Sequence, residues 1–165
     1  MKDAARLAAD LRVAWTRKLV LWWQHYNAEY LQSALRIPLV EIVEARSFLG
    51  RWHGGERRLV VAVAHIEEDP WLDVLDTLRH EMAHQYVDEV LAISGEPPHG
   101  PAFRRACERL RCSPRARGVS ARGKPTAEDR LLQRLRKVLY LAHSPNEHEA
   151  EVAVGKARQI LLHYN

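Results

Sequence analysis

Three histidines and a glutamate stand close together in the stretch LRHEMAHQYVDEVLAISGEPPHGPAF (78–103). His80, Glu81 and His84 fit the pattern H-E-x-x-H, and His99 follows after a proline-rich turn. Two histidines four positions apart on a helix point the same way, so both can bind one Zn²⁺ ion at about 2.0–2.1 Å. Catalytic zinc typically takes three protein ligands, and His99 would supply the third. The sequence therefore predicts a site for one zinc ion.

The glutamate of this pattern has a different task from the histidines. Glu81 follows His80 directly and points about 100° further around a helix, so its carboxylate need not be a ligand and can act as a general base. Asp76 and Asp88 share the four-residue spacing of His80 and His84. They are candidates for acids that accept a hydrogen bond from the metal-binding imidazoles and so orient the rings. The alternative is that both acids are simply solvated on the flank of the helix.

Two helices must position these residues. Residues 71–91 carry apolar side chains at helical spacing, which predicts a helix that presents the H-E-x-x-H histidines on another stripe. Pro101 is well placed to begin a second helix that runs to about Arg111. We expect Phe103 and Leu110 to pack this second helix onto the core and so help to hold His99.

The rest of the chain predicts an α+β fold. Residues 3–35 have helical spacing of large apolar side chains, and three strand-like runs follow at 39–45, 47–52 and 59–66. His53-Gly54-Gly55 is typical of a hairpin turn, and the third run is apolar enough to be buried on both faces. Residues 127–165 form a predicted helical hairpin (helices 127–143 and 146–164). We expect domains at 1–112 and 127–165, joined by a basic linker at 113–126.

Charge is strongly segregated along the chain, although the net charge is only +4. Residues 61–100 contain one basic and nine acidic side chains, whereas residues 101–125 contain eight basic and one acidic. A basic stretch can attract a polyanion such as DNA. The candidate contacts are Arg104, Arg105, Arg111, Arg115, Arg117, Arg122 and Lys124. The alternative is a solvated helix face followed by a basic linker.

The composition argues for a cytoplasmic protein. Charged residues interrupt the first apolar stretch, so it does not resemble a signal peptide, and no segment is long and apolar enough to span a bilayer. With only two cysteines, a framework of disulfides is not expected. We therefore expect a cytoplasmic location, compatible with association with the nucleoid, and no membrane partner.

The residues around the histidines identify a family. LRHEMAHQYVDEVL followed by HGPAFRRAC resembles the SprT-like zinc metalloproteases, whose signature is H-E-x-x-H and a downstream H-G-x-x-F, and the resemblance extends over about residues 20–112. It implies a zincin-like fold, with a small β-sheet and N-terminal and active-site helices. It also implies that His80, His84 and His99 bind zinc and that Glu81 is the general base. Members of the family include proteases that act on DNA-bound or DNA-crosslinked proteins.

The C-terminal part departs from many members of that family. They carry a zinc ribbon with four cysteines, whereas this sequence has only Cys107 and Cys112. Instead, residues 127–165 resemble a small bacterial and phage domain of unknown function. This second resemblance implies no mechanism.

Three functions are compatible with these patterns. The first is a zinc peptidase that hydrolyses DNA-associated or DNA-crosslinked proteins, with a protein as substrate and DNA as a second partner. The second is a DNA-binding adaptor whose zinc site is structural or catalytically idle. The third is a zinc hydrolase with a non-peptide substrate. The open fourth coordination position and the intact Glu81 favour an enzyme over the adaptor, since a structural zinc site is usually closed by a fourth ligand.

Overall fold

The computed structural model describes residues 2–115, with side chains from residue 8 onward, together with residues 154, 155, 157–159 and 162. Of the predicted linker (113–126), only residues 113–115 are among the described residues. Of the predicted helical hairpin (127–165), only residues 154, 155, 157–159 and 162 are. The chain divides into two compact units, Met1–Lys18 with Lys124–Asn165, and Leu19–Gly123. All the candidate metal ligands belong to the second unit.

The described part of the chain runs from one long helix through three short strands to a group of helices. Helix α1 (Lys2–Leu31) is followed by strands β1 (Leu39–Val43), β2 (Gly50–His53) and β3 (Arg58–Ala62), and then by helices α2 (Val63–Glu68), α3 (Trp71–Tyr86) and α4 (Pro101–Leu110). A short 3₁₀ turn, Gly54–Glu56, joins β2 to β3, and a π-helical turn, Val87–Leu91, continues α3. The predicted α+β class is confirmed. None of the described helices is long and apolar enough to cross a membrane.

The three strands form a mixed sheet in the order β1-β3-β2. Strand β1 pairs with β3 in parallel, with Leu39 opposite Arg58, and β2 pairs with β3 antiparallel, with Trp52 opposite Leu59. The predicted hairpin around Gly54 is therefore confirmed. The central strand is buried from Leu59 to Ala62, as the apolar run predicted.

The third predicted strand was wrong in its second half. Residues 59–62 are strand, but Val63–Glu68 form helix α2. Val63 and Ile66 are both buried at a spacing of three, which places them on one face of a helix. Short apolar runs fit both periods, and here the chain must leave the sheet and turn toward α3.

Helix α1 ends four residues before the predicted boundary. Gln32 and Ser33 adopt positive φ angles of 54° and 59°, which stops the helix. Asn27 stabilises this ending, because its side-chain amide donates to the Leu35 carbonyl at 2.9 Å and accepts from the Leu35 N–H at 3.1 Å. The buried face of the helix includes Trp23, whose indole N–H donates to Gln85 of α3 at 3.1 Å. This contact ties α1 to the helix that carries the histidines.

Candidate metal centre

Helix α3 sets the direction of the first two histidines. Trp71, Val74, Leu78 and Met82 are fully buried and fix the rotation of the helix against the core. His80 and His84 then emerge one turn apart on the same side, with ring centroids 5.2 Å apart. The helical periodicity read from the sequence is therefore what brings the pair together.

The third histidine is held by the start of α4. Glu96 accepts a hydrogen bond from the Ala102 N–H at 2.9 Å, and the Gly100 N–H donates to the Pro97 carbonyl at 2.8 Å. A Cβ at Gly100 would lie 2.9 Å from the Pro97 oxygen, so this close turn requires glycine. Together these contacts fix the backbone on both sides of His99.

The three imidazoles converge on one point. Each offers a ring nitrogen, and the three nitrogens lie within 4.8 Å of one another. His84 Nε2 and His99 Nε2 are 3.2 Å apart. His80 is buried, His84 is half-buried and His99 is exposed, so the group lies at the boundary between core and solvent. Such a cluster could hold a metal ion.

Phe103 packs against all three rings. Its centroid lies 4.2 Å from that of His84, 4.7 Å from His99 and 4.9 Å from His80. Phe103 and Leu110 are both buried, so the prediction that they join α4 to the core and help to hold His99 is supported directly by the packing.

The surroundings of His80 and His84 favour their neutral forms by lowering the pKa of each ring. Burial lowers the pKa of His84 to about 4, with further lowering by the neighbouring His80 and His99. Burial also lowers the pKa of His80, although the hydrogen bond from its Nδ1 to the Ser113 carbonyl, 3.0 Å long, acts in the opposite direction. A neutral ring whose Nδ1–H is donated to a carbonyl leaves the Nε2 lone pair for a metal. The donor set therefore fits a metal ion.

Glu81 lies beside the histidines with its carboxylate buried. It accepts a hydrogen bond from the backbone N–H of Trp52 in β2. Burial raises the pKa of Glu81 to about 7, while the Trp52 N–H and the charge of Arg51 oppose the rise. Glu81 and the three histidines line one open cleft of about 520 Å³.

This geometry agrees with the comparison of the chain with known families. The sequence model of the SprT-like family matches residues 20–124. The chain belongs to the SprT-like family. The zincin-like fold of that family agrees with the small mixed sheet and the helices described above, so the predicted family and fold are confirmed. A second family model, described as "Protein of unknown function (DUF2786)", matches residues 130–165. No curated protein and no solved structure matches the chain.

Asp76 and Asp88 of this SprT-like chain have identifiable neighbours. Asp76 forms an ion pair with Arg79 at 3.2 Å, and its charge also acts on His80. Asp88 accepts a hydrogen bond from the Trp52 indole N–H at 3.0 Å and lines the cleft. The carbonyl of Ser113 takes the Nδ1–H of His80. A role for the two acids in orienting the metal ligands stays a prediction.

The candidate nucleic-acid contacts are partly described. Arg104, Arg105, Arg111 and Arg115 are exposed, and the Arg104 Nε–H donates to the His99 carbonyl at 3.3 Å. The Arg111 guanidinium lies 5.4 Å from the centroid of the Tyr30 ring. The other three candidates, Arg117, Arg122 and Lys124, lie outside the described residues.

Two contributors to the SprT-like site were not predicted from the sequence. The Trp52 N–H holds Glu81, and the Ser113 carbonyl holds His80. Both act through the main chain, which every residue type possesses, so neither position carries a compositional signal.

Proposed function

We propose that this SprT-like protein is a zinc-dependent metallopeptidase that hydrolyses peptide bonds in DNA-associated or DNA-crosslinked proteins. The observation that carries the proposal is the convergence of three histidine nitrogens within 4.8 Å, next to the buried carboxylate of Glu81. Three protein ligands are the number that catalytic zinc sites use. Membership of the SprT-like family supports the same activity.

The donor atoms suit zinc, for which imidazole nitrogen is a usual ligand. The Nε2 atoms of His84 and His99, which lie 3.2 Å apart, would hold the ion together with His80. The Nδ1–H of His80 donates to the Ser113 carbonyl, so Nε2 is left to bind the ion.

Glu81 moves the proton in the proposed reaction. When bound, zinc lowers the pKa of a water molecule and polarises the peptide carbonyl. Glu81 accepts a proton from the attacking water and returns it to the nitrogen of the departing amine. Its buried position and the hydrogen bond from Trp52 keep the carboxylate directed at this point of the cleft.

The cleft is suited to an extended polypeptide. Gly50, Arg51 and Trp52 line it, and they belong to β2, an edge strand of the sheet that the described residues form. An extended segment can align along such an edge through main-chain hydrogen bonds. Ile93, on the segment that leads to His99, also lines the cleft and offers an apolar contact for a substrate side chain.

The proposed DNA partner rests on charge. Arg104 and Arg105 are exposed on α4, the helix that follows the proposed ligand His99, and the basic stretch continues to residue 125 in the sequence. A polyanion bound there would bring the proteins associated with it close to the cleft. This arrangement suits a peptidase whose substrates are proteins on DNA.

A cleavage assay on a DNA-bound protein tests the proposal. The zinc-loaded protein should cleave it, removal of zinc with a chelator should stop cleavage, and added zinc should restore it. Cleavage should be faster with DNA than without DNA. DNA binding without cleavage in any metal state would instead indicate an adaptor, and turnover of small esters alone would indicate a non-peptide hydrolase.

A further inference from the structure

A buried histidine outside the metal cluster has both ring nitrogens occupied. His65 of α2 is only 2% exposed. Its Nδ1 lies 2.7 Å from an Asp69 carboxylate oxygen, and its Nε2 lies 3.0 Å from the Thr77 hydroxyl of α3. The three side chains form a continuous hydrogen-bonded array.

The Asp69 carboxylate at one end of the array determines which group donates in each hydrogen bond. An ionised carboxylate only accepts hydrogen bonds, so in a neutral ring His65 carries its proton on Nδ1 and donates it to Asp69. The bare Nε2 then accepts from the Thr77 hydroxyl. A threonine inside a helix can otherwise donate to a carbonyl in the preceding turn, and it divides between two rotamers for that reason. His65 therefore selects one rotamer of Thr77.

The selected rotamer places the Thr77 methyl group against β2. A Cβ at Gly50 would lie 2.7 Å from Thr77 Cγ2, 3.1 Å from Glu81 Cγ and 3.3 Å from Glu81 Oε1. Thr77, Gly50 and Glu81 are thus packed into one contact. Two residues further along the strand, Trp52 donates its backbone N–H to Glu81.

We propose that Asp69 and His65 are positioning residues for Glu81, acting through the Thr77 rotamer and its packing against Gly50. This proposal rests on the proposed role of Glu81 in peptide hydrolysis. The array has the carboxylate, imidazole and hydroxyl order that some hydrolases use to activate a nucleophile. Thr77, however, is 9% exposed and is not among the described residues that line the cleft, so its hydroxyl serves position rather than attack.

Three variants separate positioning from a general loss of structure. His65→Leu frees the Thr77 hydroxyl to rotate, so kcat for peptide cleavage should fall by about tenfold while KM and zinc content stay the same. Adding Thr77→Val to this variant gives a double variant. Valine replaces the Thr77 hydroxyl by a methyl group and keeps the methyl group that packs against Gly50. Replacing both partners of a hydrogen bond by apolar groups of similar shape can be nearly neutral. The double variant should therefore recover kcat to within about twofold of the wild type.

A control and the contrary outcomes complete the kinetic test. Val40→Ala removes buried carbon from β1, the strand at the opposite edge of the sheet from β2, so it should lower stability and leave kcat unchanged. An unchanged kcat in His65→Leu, or a double variant as slow as His65→Leu alone, would overturn the proposal. If a general weakening of the fold caused the loss of kcat, the double variant would have a lower kcat than His65→Leu, not a higher one.

Measurements by NMR test the array without relying on activity, and the first of them needs only the wild-type protein. Long-range ¹⁵N–¹H spectra of the wild type should show the His65 proton on Nδ1, and a proton on Nε2 alone would overturn the proposal. The Trp52 amide resonance should shift in His65→Leu and return in the double variant, whereas an unmoved resonance would refute the link to Glu81. These results stand even if no peptide is cleaved, so failure of the proposed peptidase activity is distinguishable from failure of the array.

Discussion

Gly50 tests how tightly Glu81 must be held. Substitution by alanine places a methyl carbon 2.7 Å from Thr77 Cγ2 and 3.1 Å from Glu81 Cγ. Non-bonded carbons prefer separations of about 3.5–4.0 Å, so the strand and the helix must separate by about 0.8 Å or more. Thr77 is β-branched and held by His65, so it cannot easily turn away.

The cost of this separation can be estimated. Adding a methylene-sized group to a packed site typically costs about 1–3 kcal/mol of folding free energy. A misplacement of about 1 Å at a catalytic group can cost about 100-fold in rate. We therefore expect Gly50→Ala to lower kcat for peptide cleavage by about 10- to 100-fold while the three histidines still bind one metal ion.

Gly55→Ala is the matched control for this experiment. It adds the same methyl group in the turn between β2 and β3, where nothing lies within 4 Å of the new carbon. Steady-state kinetics with a fluorogenic peptide, metal analysis and urea unfolding should be compared for the two variants. Wild-type kcat in a folded Gly50→Ala variant would refute the argument that this packing holds Glu81.

Three further predictions concern the metal, the packing and the charge. His99→Ala removes a proposed metal ligand itself, so zinc affinity should fall by more than about 100-fold. Loss of a residue that only hydrogen-bonds a ligand typically costs about 10- to 100-fold, and competition with a chromophoric chelator measures the affinity. Phe103→Ala should destabilise the fold by about 3–5 kcal/mol in urea unfolding, and a destabilisation below about 1 kcal/mol would contradict its central packing. Replacing Arg104 and Arg105 by alanine should reduce the salt dependence of DNA affinity by about one unit of log–log slope for each phosphate that these side chains bind, and an unchanged slope would show that they bind none.

Much of the metal cluster could be predicted because its geometry is local. The i and i+4 spacing of His80 and His84 on a helix needs no long-range information, and Pro101 indicated the element that follows His99. The boundary of the third strand could not be predicted in the same way. The run from residue 59 to residue 66 fits both a strand and a helix, and only the path from β3 to α3 decides between them.

The supports of the site depend on tertiary pairing and were harder to predict. Trp52 and Ser113 contribute main-chain groups, which other residue types also possess, so the sequence does not reveal these contacts. The sequence shows no metal-ligand spacing for His65, yet the structure places it between Asp69 and Thr77. The four-residue spacing of His65 and Asp69 was the one local sign of that array.

In the proposed reaction, Glu81 transfers the proton in a zinc-dependent peptide cleavage. Glu81→Gln keeps the size of the side chain and removes its basicity, so the variant should bind one zinc ion per chain as the wild type does. The decisive measurement is the rate of cleavage of a DNA-bound protein by the zinc-loaded variant relative to the zinc-loaded wild type. We predict a loss of at least about 100-fold, in the range that general acid–base catalysis contributes. Cleavage by the variant at the wild-type rate would contradict the account.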